Sequence, residues 1–137
     1  MTLLQLHFFA VSFWFGLLAA ESVLELVGWH GVELIIARVH RWIDLLCEGP
    51  AVITIFVTGG LLLTRVWPAP PLLLVKIVLG SIVLLVNLYC VGLVFARAAE
   101  QDTTRFRRLT QKVRMTGYAI PLGLIAFVIG LSRQGSA

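Results

Sequence analysis

Apolar residues fill four long segments of the chain, and shorter stretches between them contain most of the charged residues. The segments cover residues 3–27, 39–66, 72–96 and 115–131. A helix needs roughly 17–25 predominantly apolar residues to cross the hydrocarbon core of a bilayer, and each segment is long enough. The pattern therefore predicts an all-α, polytopic membrane protein, an antiparallel four-helix transmembrane bundle that forms a single domain over residues 1–137.

Glycine and proline mark the ends and irregular points of these helices. Gly28 is expected to end the first helix, and Pro50 is expected to kink the second, because proline removes one backbone hydrogen bond and crowds the preceding turn. A stiff Trp-Pro-Ala-Pro-Pro turn at residues 67–71 joins the second helix to the third. Residues 97–114 contain six cations and two acids, so we predict that this segment lies outside the hydrocarbon.

Composition and charge agree with a membrane protein. With 59% hydrophobic and 13% charged residues, the chain is too apolar for an ordinary water-soluble domain. The net charge of +4 indicates contact with lipid headgroups rather than with nucleic acid. Cations concentrate in the first and third loops, so the positive-inside rule predicts a bacterial inner-membrane protein with those two loops in the cytoplasm and both termini on the outer side.

The sequence lacks the motifs of several classes of activity. Cys47 and Cys90 belong to separate helices and form no CxxC pair, and Met1 and Met115 are the only thioethers, which argues against copper(I) transport. Patterns for nucleotide binding, zinc proteolysis and serine hydrolysis do not occur. The chemistry must therefore come from ionisable residues near the apolar segments.

Residues 21–48 contain five of the seven acidic residues and two of the three histidines. Side chains four residues apart share a helical face, so the stretch forms one column on the first helix and a second column on the next helix. Because the two helices are antiparallel, Glu25 is expected to lie level with His40, and Glu21 level with Asp44. His30 and Glu33 are expected to be solvated loop residues. The candidate ligands for a divalent metal ion are Glu21, Glu25, His40, Asp44 and Glu48.

This acidic stretch has three interpretations. Facing carboxylates and an imidazole can bind a metal ion or pass protons, as they do in metal-binding helical bundles. They can instead form a structural ion-pair network, with Arg38 and Arg41 neutralising the acids at the interface. The third alternative is contact with a partner protein.

A second candidate site lies near the opposite ends of the helices. His7 and Lys76 are both near the predicted outer side, where the two side chains can meet. A neutral imidazole is a common axial ligand of haem, and a neighbouring cation can pair with a haem propionate. We therefore take His7 and Lys76 as candidate cofactor-binding residues.

The segment Leu6–Leu17, with a histidine followed by a Trp-x-Gly element, resembles the first helix of the bacterial membrane-embedded protoporphyrinogen oxidases and the related copper-resistance D group. Pro50, Lys76 in a Val-Lys-Ile-Val-Leu setting, and the Arg-Phe-Arg-Arg-Leu segment at 105–109 follow in matching order. The resemblance implies a four-helix protein that binds haem b through His7 and oxidises porphyrinogens. The family also has a histidine late in its third helix, where this chain has Asn87.

These observations lead to one main hypothesis and two alternatives. The main hypothesis is a haem- or metal-associated redox protein of the inner membrane, with haem b or a divalent metal ion as cofactor. The first alternative is a non-catalytic accessory subunit of a larger membrane complex or a homo-oligomer, since glycines at helix faces favour close association. The second is translocation of metal ions or protons through the bundle.

Overall fold

The computed structural model describes residues 1–27 and 31–132, and the side chains as far as residue 129. Four long apolar helices pack antiparallel, and each is long and apolar enough to cross a membrane. The protein is therefore a multi-pass membrane protein of all-α fold. The helices are α1 (Leu3–Val27), α2 (Glu33–Ile43), α3 (Gly49–Arg65), α4 (Pro71–Ala99), α5 (Thr103–Thr116) and α6 (Ile120–Ser132).

Two short turns join consecutive helices into single spans. A π-helical turn, Asp44–Glu48, connects α2 to α3, and a 3₁₀ turn, Gly117–Ala119, connects α5 to α6. The π turn immediately precedes Pro50, whose kink was predicted from sequence. Prolines and π turns are both places where helices commonly bend.

The spans extend further than the apolar segments from which they were predicted. The second span begins at Glu33 instead of residue 39, the third ends at Ala99, and the fourth includes α5. Within the predicted loop 97–114, only residues 100–102 are non-helical. The apolar segments were too short a guide because α2 and α5 are amphipathic. Each has one apolar face and one polar face, and the polar face lowers the average hydrophobicity of the segment. The predictions for Gly28 and His30 lie outside the described residues.

Helix α5 begins at a well-formed cap and packs on α4. The Asp102 carboxylate accepts hydrogen bonds from the backbone N–H groups of Thr104, at 2.7 Å, and Arg105, at 3.1 Å, and these bonds lower the pKa of Asp102. Val113 is buried against Leu93 and Val94 of α4. The basic segment is thus held against the bundle, and we call the end of the bundle where α1 ends and α5 begins the basic end. Its cytoplasmic orientation stays a prediction.

The Phe15 ring of α1 reaches Gly123 of α6 in the half of the bundle away from the basic end. A Cβ atom at Gly123 would overlap the ring of Phe15, so a larger residue there would require that ring to move. Phe127 adds ring contacts to Phe8 and Phe15, with centroid distances of 6.3 and 5.9 Å. Trp14, Ala51 and Val83 form an apolar cluster in the middle of the bundle.

Candidate metal centre

Seven buried polar residues occupy the bundle interior between the apolar cluster and the basic end, and all are at least 94% buried. They come from α1, α2, the π turn and α4. We call them the buried polar cluster. Its members are Glu21, Glu25, His40, Asp44, Glu48, Asn87 and Arg97. All five residues proposed from sequence as metal ligands belong to this cluster.

The two columns face each other as the antiparallel arrangement predicts. His40 Nδ1 lies 2.7 Å from Glu25 Oε1, which confirms that these two residues are level. Glu21, His40 and Asp44 each offer one ligand atom, and the three atoms lie within 4.8 Å of one another. The sequence spacing therefore identified the correct faces of both helices.

Arg97 is the cation that pairs with these acids. Its guanidinium donates two hydrogen bonds to Glu25, from Nη1 to Oε2 at 2.8 Å and from Nη2 to Oε1 at 2.6 Å. The ion-pair interpretation assigns this role to Arg38 and Arg41. In the structure Arg38 is exposed, and the Arg41 guanidinium lies 5.2 Å from the centroid of the Phe95 ring.

Arg97 belongs to the segment 97–114 that is predicted to lie outside the hydrocarbon, and in the structure its side chain is buried among other residues, with 1% exposed. One signal could have identified it. Arg97 continues the buried stripe of Val83, Asn87 and Val94 on α4, and residues at this spacing share one helical face.

The contacts of His40 leave one ring nitrogen facing carboxylates. A carboxylate paired with Arg97 is an acceptor only, so the Nδ1 atom of His40 must carry the proton that it shares with Glu25. The Nε2 atom lies 3.5 Å from Glu21 Oε2 and 3.7 Å from Asp44 Oδ1. In the neutral ring, this Nε2 lone pair faces two oxygen acceptors. Such an arrangement of three electron-pair donors can hold a cation.

Glu48 is held at the inner edge of the cluster by two donors. Its Oε1 accepts a hydrogen bond from the indole Nε1 of Trp14, at 2.8 Å, and from the amide Nδ2 of Asn87, at 2.7 Å. Asn87 was noted in the sequence only as a departure from the resembled family. Its contact with Glu48 gives it a structural role that the sequence did not reveal.

The buried polar cluster carries more negative than positive charge. Its four carboxylates face one guanidinium, which leaves a formal excess of three negative charges when His40 is neutral. Four of its oxygen atoms are buried and have no hydrogen-bond partner among the described residues. They are Glu21 Oε1, Asp44 Oδ2, Glu48 Oε2 and Asn87 Oδ1. Uncompensated charge is costly in a medium of low polarity, so the cluster requires bound cations or protons.

A cavity of about 600 Å³ lies beside the cluster. The acids and His40 form one side, and the end of α5 with the following 3₁₀ turn forms the opposite side. The two sides come near each other at Ser22, whose hydroxyl would lie 3.5 Å from a Cβ atom at Gly117. The cluster therefore borders enough space for a small ligand.

His7 and Lys76 lie in the other half of the bundle and have separate partners. His7 Nδ1 is 2.9 Å from the hydroxyl of Thr58, and that hydroxyl donates its own hydrogen to the carbonyl oxygen of Thr54 at 2.6 Å. His7 must therefore donate from Nδ1, which leaves its Nε2 with a lone pair. The Lys76 ammonium lies 5.3 Å from the centroid of the Phe8 ring.

No protein-family model, curated protein or solved structure matches this chain. The chemistry of the site is therefore argued from its own residues.

Proposed function

We propose that this protein is a metal-dependent redox protein that holds a divalent transition-metal ion between Glu21, His40 and Asp44. The observation that carries the proposal is the His40 Nε2 atom, which faces the two carboxylates at 3.5 and 3.7 Å. Imidazole nitrogen combined with carboxylate oxygen suits Fe²⁺ and Mn²⁺, which also supply one-electron chemistry when bound. Zn²⁺ accepts the same ligands without redox activity.

The neighbours of His40 support this assignment. Metal-binding histidines commonly donate the other ring N–H to a carboxylate, which fixes the tautomer and the orientation of the ring. Glu25 has this position, and Arg97 holds Glu25 through two hydrogen bonds. A divalent ion would also offset two of the three excess negative charges. The site thus combines suitable ligands, a supported histidine and a need for positive charge.

The packing favours a resident ion over passage of ions through the bundle. Beyond Glu48, the interior is closed by Trp14, Ala51 and Val83 and by the partly buried apolar residues around them. The next polar contact in the bundle interior is between His7 and Thr58, on the far side of this apolar cluster. A translocation pathway would need this cluster to open, whereas a bound cofactor needs no such movement.

We expect the purified protein to contain about one iron or manganese ion per chain after expression in medium that supplies both metals. The measurement is elemental analysis of protein in detergent, followed by removal of the ion with a chelator and its return by titration. Protein that is folded but contains no metal, and takes up none at micromolar concentration, would contradict the proposal. That result would favour the accessory-subunit alternative.

The lone pair on His7 Nε2 supports a second candidate function, haem b binding, as the family resemblance implies. Protein produced with sufficient haem is expected to show a Soret band, and His7→Ala should abolish the band. Glu21→Gln is the matched control and should leave the band unchanged, because Glu21 lies in the other half of the bundle. A wild-type spectrum without a Soret band would exclude this candidate and would leave the metal proposal intact.

A further inference from the structure

The cavity beside the buried polar cluster opens toward lipid through an apolar rim. Leu26, Met115 and Tyr118 border the cavity and are 73, 60 and 82% exposed. All three lie within candidate membrane spans, so their exposed surfaces face lipid. The acids and His40 on the opposite side are almost completely buried and present little polar surface to the cavity. The space therefore suits the apolar chain of a molecule that enters from the bilayer.

Helix α5 brings positive charge to the mouth of this cavity. It has five cationic side chains and no acidic one. Arg107, Gln111 and Arg114 are exposed and follow one another along one helical face, at spacings of four and three residues. Gln111 and Arg114 also border the cavity. Cationic groups and N–H donors thus extend over about 10 Å, from near the basic end to the cavity mouth.

Arg114 lacks a counter-ion in the part of the chain that the structure describes. No ion pair within residues 1–27 and 31–129 includes its guanidinium, although Arg114 lies within the fourth span and next to the lipid-facing Met115. An unpaired cation is costly in a membrane span. The anion that a bilayer supplies is the phosphate of a lipid headgroup, which a guanidinium can bind through two parallel hydrogen bonds.

We propose that the cavity binds one anionic phospholipid of the bilayer, with an acyl chain along the apolar rim and the headgroup phosphate on Arg114 and Gln111. The cations of α5 select a lipid of net negative charge, since basic residues near a membrane surface attract anionic lipids. The bound lipid closes the gap between α1 and the start of the fourth span. This inference requires no metal ion, because the lipid uses exposed groups of α5 and the apolar surface of the cavity.

Three probes test the assignment on wild-type protein that has been freed of lipid in a neutral detergent. Dioleoylphosphatidylglycerol has a negative headgroup, dioleoylphosphatidylcholine has the same chains with a zwitterionic headgroup, and glycerol 3-phosphate has a phosphate without chains. By native mass spectrometry we expect saturable binding of one phosphatidylglycerol per chain and no bound glycerol 3-phosphate. Phosphatidylcholine should bind at least ~5-fold more weakly, about the effect of one basic residue on an anionic lipid. Equal affinity for the two lipids, equally tight binding of glycerol 3-phosphate, or no saturable binding would overturn the proposal.

Two arginines of α5 provide matched variants. Arg114→Gln removes the proposed phosphate ligand and should weaken phosphatidylglycerol at least ~5-fold. Arg105→Gln removes the same charge from the same helix, but Arg105 lies nine residues away, about two and a half turns, and so is on the opposite face. This control should bind like the wild type. If the two variants have the same affinity, α5 attracts headgroups without forming a site and the inference is wrong.

A change at Gly117 tests whether the acyl chain lies in the cavity. Gly117 borders the cavity and has right-handed helical backbone angles, which a larger residue can adopt. Gly117→Leu fills the space toward Ser22 and should abolish saturable binding of phosphatidylglycerol. Gly60→Leu is the control, because a Cβ atom there would meet no atom within 4 Å. Wild-type affinity in Gly117→Leu, with circular dichroism showing a folded bundle, would contradict the proposal.

Discussion

Replacing Arg97 with methionine is expected to destabilise the bundle by about 3–5 kcal/mol, the range found when one partner of a buried ion pair is removed. The guanidinium makes two hydrogen bonds of 2.6 and 2.8 Å to Glu25, and both side chains are almost completely buried. Methionine would leave the Glu25 carboxylate without its cation in an interior that already has excess negative charge. Unfolding in mixed micelles, followed by circular dichroism, measures the difference.

Two controls make this prediction specific. Arg105→Gln removes a cation that is 73% exposed and lies 3.8 Å from Glu100, so its effect should be within about 0–1 kcal/mol. The double variant Arg97→Met with Glu25→Gln removes both charges and keeps an acceptor for His40, so it should recover much of the stability. If Arg97→Met alone behaves like Arg105→Gln, the pair is not a major stabilising contact.

Metal affinity should fall in a defined order when residues around His40 are changed. Glu21→Gln and Asp44→Asn remove proposed ligands and should reduce affinity most. Glu25→Gln changes the group that orients His40 and also pairs with Arg97. In protein that stays folded it should reduce metal affinity about 10–100-fold, the usual effect of such neighbours. Glu48→Gln changes a group in contact with the Asp44 carboxylate and should have an effect of the same size as Glu25→Gln. Competition with a chromophoric chelator gives the four affinities on one scale.

The order itself tests the geometry. Glu100→Gln controls for the loss of one negative charge at a distance from the site and should bind like the wild type. If the double variant Glu21→Gln with Asp44→Asn is folded and retains full metal affinity, the ion is bound elsewhere. An effect of Glu48→Gln as large as that of Glu21→Gln would mean that Glu48 is also a ligand.

The apolar segments and the four-residue spacing predicted the parts of this protein that depend on local pattern. Four spans, two facing columns of ionisable residues and the juxtaposition of Glu25 with His40 all follow from helix periodicity and antiparallel order. The same periodicity includes Arg97 in the buried stripe on α4, but the prediction followed the rule that an arginine at the end of an apolar segment ordinarily marks the membrane surface. Its burial depends on α4 continuing past the apolar segment to Ala99.

The role of Asn87 and the position of the cavity depend on tertiary packing more than the four spans and the two columns do. The amide of Asn87 meets Glu48 across 39 residues of sequence, and no local pattern links the two. The cavity lies where the amphipathic α5, packed on α4, and the following 3₁₀ turn meet the acids of α1 and the π turn. Helix α5 lies in a segment whose average hydrophobicity is low, so the sequence predicts a charged loop there. One wall of the cavity is therefore missing from the sequence-based prediction.

Because of the π turn, the number of residues between Asp44 and Glu48 determines whether both side chains face the buried polar cluster. In an α-helix, positions four residues apart drift by about 40° around the axis, so His40, Asp44 and Glu48 would gradually rotate away from a common direction. The Gly49 N–H donates to the Asp44 carbonyl, and this wider turn counteracts the drift. Deleting Leu45 or Leu46, both exposed, would restore α-helical winding and turn Asp44 and Glu48 apart. A deletion here in a related sequence would therefore turn Glu48 out of the buried polar cluster even with the proposed ligands Glu21, His40 and Asp44 retained.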